Sequence, residues 1–108
     1  MAFPVLLTDD AAQDLEELYV YIARQDGWQK AECVLDRIEK AIASLSEYPE
    51  RECYPYELSS VGIREYREIF FKPYRIIHRF VKDNVHIYLI ADGRRNMQSL
   101  LERRLLHA

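Results

Sequence analysis

Between Ile63 and Ala91 the chain reads IREYREIFFKPYRIIHRFVKDNVHIYLIA. Three runs rich in Ile, Val, Phe and Tyr stand out within it: Ile63 to Phe71, Tyr74 to Val81 and Val85 to Ala91. β-Branched and aromatic residues at this density fit a pleated, half-buried surface, so each run predicts a strand. The breaks are short, Lys72-Pro73 and Lys82-Asp83-Asn84, which leaves room only for tight hairpins and so for an antiparallel meander. Asp92-Gly93 closes the last strand.

Upstream the period changes. Phe3 to Thr8 reads as a first strand, with Pro4 tolerated at a strand's beginning or edge. Thr8, Asp9 and Asp10 supply caps and negative charge for a helix start. Ala11, Leu15, Leu18, Tyr19 and Ile22 then recur at helical spacing, and Asp26-Gly27 ends the helix. A second helix is predicted from Gln29 to Ser46, striped by Ala31, Val34, Leu35, Ile38, Ala41, Ile42 and Leu45. Asp36 and Lys40 can pair on its polar side. The short break makes the two an antiparallel helical hairpin. Glu47 to Gly62, punctuated by Pro49, Pro55 and Gly62, reads as a loop. Downstream, Asn96 caps a final helix of about ten residues with Met97, Leu100, Leu101 and Leu105 on one side, a length marginal without docking.

The fold class is therefore α+β: strand, helix, helix, three-strand antiparallel meander and short C-terminal helix, as a single domain over residues 1–108. Two helices bury one sheet face. Alternation puts Ile69, Phe71, Tyr74, Ile76 and Phe80 on one side, but Phe70, Ile77 and Val81 occupy the other. The last strand has Val85, Ile87 and Leu89 on one parity and Tyr88 and Ile90 on the opposite one. Neither face is polar, so the second needs the final helix, a partner protein, or both.

Composition narrows the function. Hydrophobic residues make up 49% of the 108, which argues against disorder, and no apolar run approaches the roughly 20 residues of a membrane span. Met1 to Thr8 lacks a basic region and a small-residue cleavage site, so the expectation is a cytoplasmic protein without membrane contact. Cys33 in a helical pattern and Cys53 in a loop are too few for a small secreted disulfide scaffold. Without CxxC or a His/Cys cluster at ligand spacing, neither a metal nor any other cofactor is expected. The net charge of −3 argues against nonspecific nucleic-acid binding, and no helix-turn-helix pattern suggests direct DNA contact. Residues 1–54 carry 5 Lys/Arg and 12 Asp/Glu, residues 55–108 carry 10 and 6, so an acidic half precedes a basic one. That asymmetry reads either as complementarity within the domain or as a basic surface awaiting an acidic partner. The 8 tyrosines favour a protein interface.

Candidate chemistry lies in the meander: Arg64, Arg67, Arg75, Arg79 and His78, followed by Arg94 and Arg95. A ribonuclease needs a base, an acid and cations for the phosphate, and arginine supplies the last with planar geometry. Glu65 and Glu68 alternate with arginines and read first as salt-bridge partners. His78 and His86 stand among apolar neighbours, where a structural histidine is commoner than a catalytic one. Tyr66, Tyr74 and Tyr88 suit core or interface positions.

Taken together the pieces resemble the ParE/RelE toxin family of bacterial type II toxin–antitoxin systems. The resemblance rests on Ala11, Asp14, Leu15 and Tyr21-Ile22, the Leu45…Pro49 helix exit, Gly62-Ile63-Arg64-Glu65-Tyr66, Tyr74-Arg75-Ile76-Ile77-His78, Val85-His86-Ile87-Tyr88, Asp92-Gly93-Arg94-Arg95 and the leucine-rich end. It implies a toxin that inhibits growth, a role in plasmid stabilisation, and a hetero-oligomer with a cognate antitoxin whose C-terminal segment wraps it as a groove-bound helix or an added strand. The ParE-like branch implies inhibition of DNA gyrase without catalysis. The RelE-like branch implies a ribosome-dependent mRNA endonuclease, with Arg75, Arg94 or Arg95 on phosphate and His78 or Tyr74 moving a proton; Arg75→Ala would then abolish cutting without unfolding. Nuclease members commonly add a lysine cluster, or a Glu with a C-terminal His-Tyr pair, whereas Asn96-Met97 follows Arg95 here and lysines are few. The ParE-like branch is therefore favoured. A third reading is an inactive antitoxin-binding module. In each, Arg64, Arg67, Arg75, Arg79, Arg94, Arg95, Met97, Leu100, Leu101 and Leu105 are the candidate target or antitoxin interface.

Overall fold

The computed structural model describes residues 2–50 and 54–106. Cys53 lies outside them, while Cys33 is an exposed free thiol. Strand β1 spans Val5–Leu7, helix α1 Asp9–Asp26 and helix α2 Trp28–Ser44. The Thr8 hydroxyl accepts the Ala11 N–H at 3.1 Å and fixes the start of α1. Gly27, at φ 94°, takes the conformation that disfavours a side chain and is the single residue between the end of α1 and the start of α2. The Asp36–Lys40 pair forms at 3.2 Å on the solvent side of α2.

Strands β2 (Arg67–Phe71), β3 (Tyr74–Val81) and β4 (Asn84–Asp92) form the meander, and β1 adds parallel to β4, giving the order β1-β4-β3-β2. Lys82 and Asp83 turn the second hairpin with positive φ at both positions, the geometry that matches strand twist. Strand β2 starts four residues later than the sequence suggested. Ile63 instead donates its N–H to the Leu58 carbonyl and packs its side chain beside Leu58.

That contact belongs to an element the sequence reading missed. Helix α3 (Tyr56–Ser59) interrupts the expected loop. Pro55 had counted as loop punctuation, yet proline at a helix entrance sacrifices no needed N–H.

Two cores result. On one face α1 and α2 pack Ile22, Val34, Ile38 and Ile42 against Ile69, Ile76, Val85, Ile87 and Ile90. On the other, Leu58 of α3 and Met97, Leu100 and Leu101 of helix α4 (Met97–Leu101) cover Ile77, Leu89 and Ala91. Asn96 caps α4 as expected, accepting the Ser99 N–H, and a π-helical segment, Glu102–Leu106, continues it. The chain's own residues thus close over the second face, with Ile77 and Leu89 at 1% exposure or less. Of the alternatives open for this face, the final helix, a partner protein or both, the final helix is the one that covers it here, joined by the unexpected α3.

The alternation in β4 is corrected as well. Ile77 pairs with Leu89 but His78 pairs with Ile87, so Tyr88 is an extra residue on β4. Beyond this bulge the parity reverses: Leu89 joins the second core, and Ile90 joins Val85 and Ile87 in the first.

Candidate functional site

Arg75 projects from β3 onto the second face, where β2 and α3 bring carboxylates to it. Its Nε donates to Glu68 Oε1 at 2.7 Å, and its two terminal nitrogens grip Glu57 at 2.9 and 2.8 Å. The residue is only 9% exposed. Such a planar fork on two carboxylates is the strongest arrangement arginine makes. Both hydrogen bonding and charge hold Arg75 in its cationic form. Glu57 is drawn below the usual carboxylate range by the Arg75 hydrogen bonds, whereas burial pushes Glu68 up despite the same partner. Each of the three guanidinium nitrogens thus donates to a carboxylate, which locks α3 to the sheet.

Arg94 and Arg95 emerge after β4 and are exposed. Asp92 holds Arg94 with contacts of 2.6 and 3.0 Å and accepts its backbone N–H as well. The hydrogen bonds from Arg94 lower the Asp92 pKa. Arg95 donates its backbone N–H to the Asp92 carbonyl, and among the described residues its guanidinium has no ion-pair partner. Both arginines border a groove of about 670 Å3 between α1 and the ends of β3 and β4. Tyr74 lines it; burial raises its phenol pKa, and the nearby Asp92 charge adds to this.

His78 sits on the opposite face from Arg75, as its parity predicted. It is fully buried, its Nε2–H donates to the Pro49 carbonyl at 3.1 Å, and among the described residues its Nδ1 has no hydrogen-bond partner. Burial lowers its pKa and keeps the ring neutral. His86 and Tyr88 are half-buried neighbours, and Tyr88 meets Tyr66 edge-on at 5.4 Å.

The remaining candidates scatter. Arg79 reaches Glu65 at 3.5 Å and lies over Tyr66. Arg67 bonds the Glu50 carbonyl and stacks on Tyr54 at 4.7 Å. Arg64 is exposed ahead of β2 rather than within it. Met97, Leu100 and Leu101 are enclosed in the second core and Leu105 packs beside it, so this stripe is not presented outward.

One carboxylate that ties distant parts of the chain together was not among the sequence candidates for the site. Asp14 receives Arg104 through both oxygens at 2.9 Å and also accepts the Ile90 N–H at 3.0 Å. Arg104 donates in addition to the Tyr88 carbonyl. Ile90 pairs with Ile76 of β3 on one edge, but β1 ends at Leu7 opposite Ile87 and offers nothing to its other edge, where α1 supplies the acceptor. Only the polar identity of Asp14 on an otherwise half-buried turn of α1 hinted at this.

Among the described residues, no group of His, Cys, Asp or Glu side chains could hold a metal ion, and no helix is long and apolar enough to cross a membrane. A comparison with curated proteins finds no match. Solved structures do match. A chain of the chromosomal ParDE system from P. aeruginosa is 17% identical with a TM-score of 0.71, over 84% of this chain and 96% of that one. A mutant of the E. coli toxin RelE in the free state is 13% identical with a TM-score of 0.65, over 97% and 100%. A chain of the toxin–antitoxin complex RelBE2 from Mycobacterium tuberculosis is 18% identical with a TM-score of 0.56, over 85% and 99%. At these identities the likeness speaks for the α+β fold. The family model for the ParE toxin of the type II toxin–antitoxin system parDE matches residues 5–97, nearly the whole chain, and with this the chain belongs to the ParE toxin family.

Proposed function

We propose that this toxin arrests growth by poisoning DNA gyrase, and that a cognate antitoxin neutralises it by direct binding. The observation carrying the reading is the state of Arg75. Cutting RNA needs a cation free to meet phosphate, with a proton-transfer group beside it. Here every nitrogen of the Arg75 guanidinium is held by Glu57 or Glu68, and His78 is sealed behind the sheet. Tyr74, with its raised pKa, is a poor base near neutrality. Binding to a protein target asks none of this. The ParDE and RelBE2 relatives, described as a toxin–antitoxin system and complex, support a protein partner and a hetero-oligomer. A gyrase target and an antitoxin partner place the activity in the cytoplasm, with DNA reached through partners rather than directly.

Purified gyrase tests the reading. Supercoiling should be inhibited, and gyrase–DNA cleavage complexes should accumulate, with toxin that arrests growth. Unaffected gyrase together with cut ribosome-bound mRNA would assign the chain to the nuclease branch through Arg94 or Arg95. No arrest on expression without antitoxin would make it an inactive binding module.

A further inference from the structure

Helix α1 turns Ala11, Leu15, Leu18 and Ile22 toward the first core. On its opposite side Gln13, Glu17, Val20 and Arg24 recur at three- and four-residue steps and form one exposed stripe. Glu16 flanks the stripe on one side and Tyr21 on the other, and together these residues line an open concavity of about 360 Å3. Two apolar residues interrupt the stripe at its middle, Val20 at 39% exposure and Tyr21 at 63%. Exposed tyrosine beside an exposed aliphatic is a feature of interaction surfaces.

The charges on either side of this centre are unmatched. Glu17 accepts the Gln13 amide at 3.0 Å, but no described cation comes within ion-pair distance of it. Arg24 has no ion-pair partner among the described residues either. Seven residues apart, they stand about 10 Å from one another along the axis, too far to meet within the helix. Helix α2 differs, because Asp36 and Lys40 are four apart and pair with each other. Glu17 and Arg24 lie at equal distances from the Val20–Tyr21 step. A stripe with opposite charges equally far from an apolar centre is complementary to itself turned end for end.

We propose that this face of α1 receives the same face of a second copy, the two helices running antiparallel about a two-fold axis between Val20 and Tyr21. Val20 of each copy packs on the partner's Tyr21, and Glu17 of each pairs with the partner's Arg24. Glu16 adds a second carboxylate beside that arginine. In this register Asp9 and Asp10 fall past the end of the partner's α1, which stops at Asp26, so the acidic helix starts do not oppose each other. A parallel pairing would set Arg24 against Arg24 and Glu17 against Glu17 and would align the helix dipoles, so the charges select the antiparallel one. One face of one helix is a small contact, and the dimer it makes is weak and reversible. The inference is independent of the toxin's cellular target.

The test is sedimentation of the full-length toxin from low micromolar to several hundred micromolar concentration, with each variant checked for an unchanged melting curve. Wild type should pass from monomer to dimer across the series. Arg24→Glu and Glu17→Arg, each alone, set like charges opposite one another and should weaken dimerisation roughly 10-fold or more. Mixed, these two variants carry complementary faces and should form a heterodimer at concentrations where neither associates alone. The variant with both exchanges restores the match and should dimerise within about threefold of wild type. Tyr21→Ala should weaken the dimer about 10-fold, and Glu39→Lys, on the exposed side of α2, should stay within about twofold. A wild type that remains monomeric throughout overturns the inference. So does a dimer indifferent to both single reversals, or one that the double exchange fails to restore. None of these results bears on the gyrase or antitoxin readings.

Discussion

Gly93 lies flat against the stem of Arg75: a Cβ added there would stand 2.8 Å from Arg75 Cδ and 3.1 Å from the Pro73 carbonyl oxygen. The Gly93 N–H already donates to that same carbonyl at 2.7 Å, so the backbone cannot retreat without breaking a bond. Gly93→Ala should cost about 1–3 kcal/mol in denaturant unfolding, through overpacking against Arg75. A stability equal to wild type would mean the arginine stem moves aside freely.

Removing Arg75 itself should cost more. Arg75→Ala strands Glu68, which is 4% exposed, without its cation, and breaks the tie to α3. Losing one partner of a buried pair destabilises by about 3 kcal/mol. Arg75→Ala is therefore a stability lesion before it is a probe of activity, contrary to what its sequence position suggested. A melting curve of that variant decides the matter, and an unshifted curve would return Arg75 to the list of free functional cations.

Asp14→Asn should loosen the C-terminus. One amide oxygen can still accept the Ile90 N–H, but the charged fork to Arg104 is lost. Amide exchange in Glu102–Leu106 should accelerate at least several-fold, while exchange in α2 stays unchanged. A double-mutant cycle with Arg104→Met should give a coupling of about 1–2 kcal/mol.

His78 confers acid sensitivity. Its folded pKa lies below the ordinary 6.5, so between those two values the unfolded chain binds a proton that the fold refuses. Stability must then fall as pH drops below about 6.5 and level off beneath the depressed folded value. Glu68 acts in the opposite sense, since burial raises its pKa. The contribution of His78 is isolated by comparing wild type with His78→Gln, whose amide can still donate to Pro49. The variant should lose less stability than wild type between neutral pH and pH ~5, and equal slopes would count against a buried neutral imidazole.

Leu101 should behave as core rather than interface. At 1% exposure, Leu101→Ala should cost about 3 kcal/mol and lower the melting temperature, with any loss of partner binding following from unfolding.

Much of this fold was legible because its signals are local. Thr8, Asp26-Gly27 and Asn96 mark helix ends by capping chemistry, and the runs from Tyr74 and Val85 mark strands by composition. What escaped depends on residues far apart in the chain. Glu57 and Arg75 are separated by 18 positions, Asp14 and Arg104 by 90, and no spacing rule connects them. Helix α3 was hidden because four residues are too few to show a period. The groove was invisible for the same reason: its walls, Tyr21 and Tyr74, meet only after the sheet closes.

The extra residue at Tyr88 makes β4 a strand read in two frames. Val85 and Ile87 belong to the first frame, Leu89 and Ala91 to the second, and both layers of the molecule are anchored on one ribbon. Deleting Tyr88 would accordingly spare both layers. The ladder would become regular, with Ile87 still opposite His78 and Leu89 still opposite Ile77, so Leu89 would keep facing α4 and Ile90 the helical hairpin, and the losses would be those of Tyr88 itself, its ring against Tyr66 and its carbonyl to Arg104.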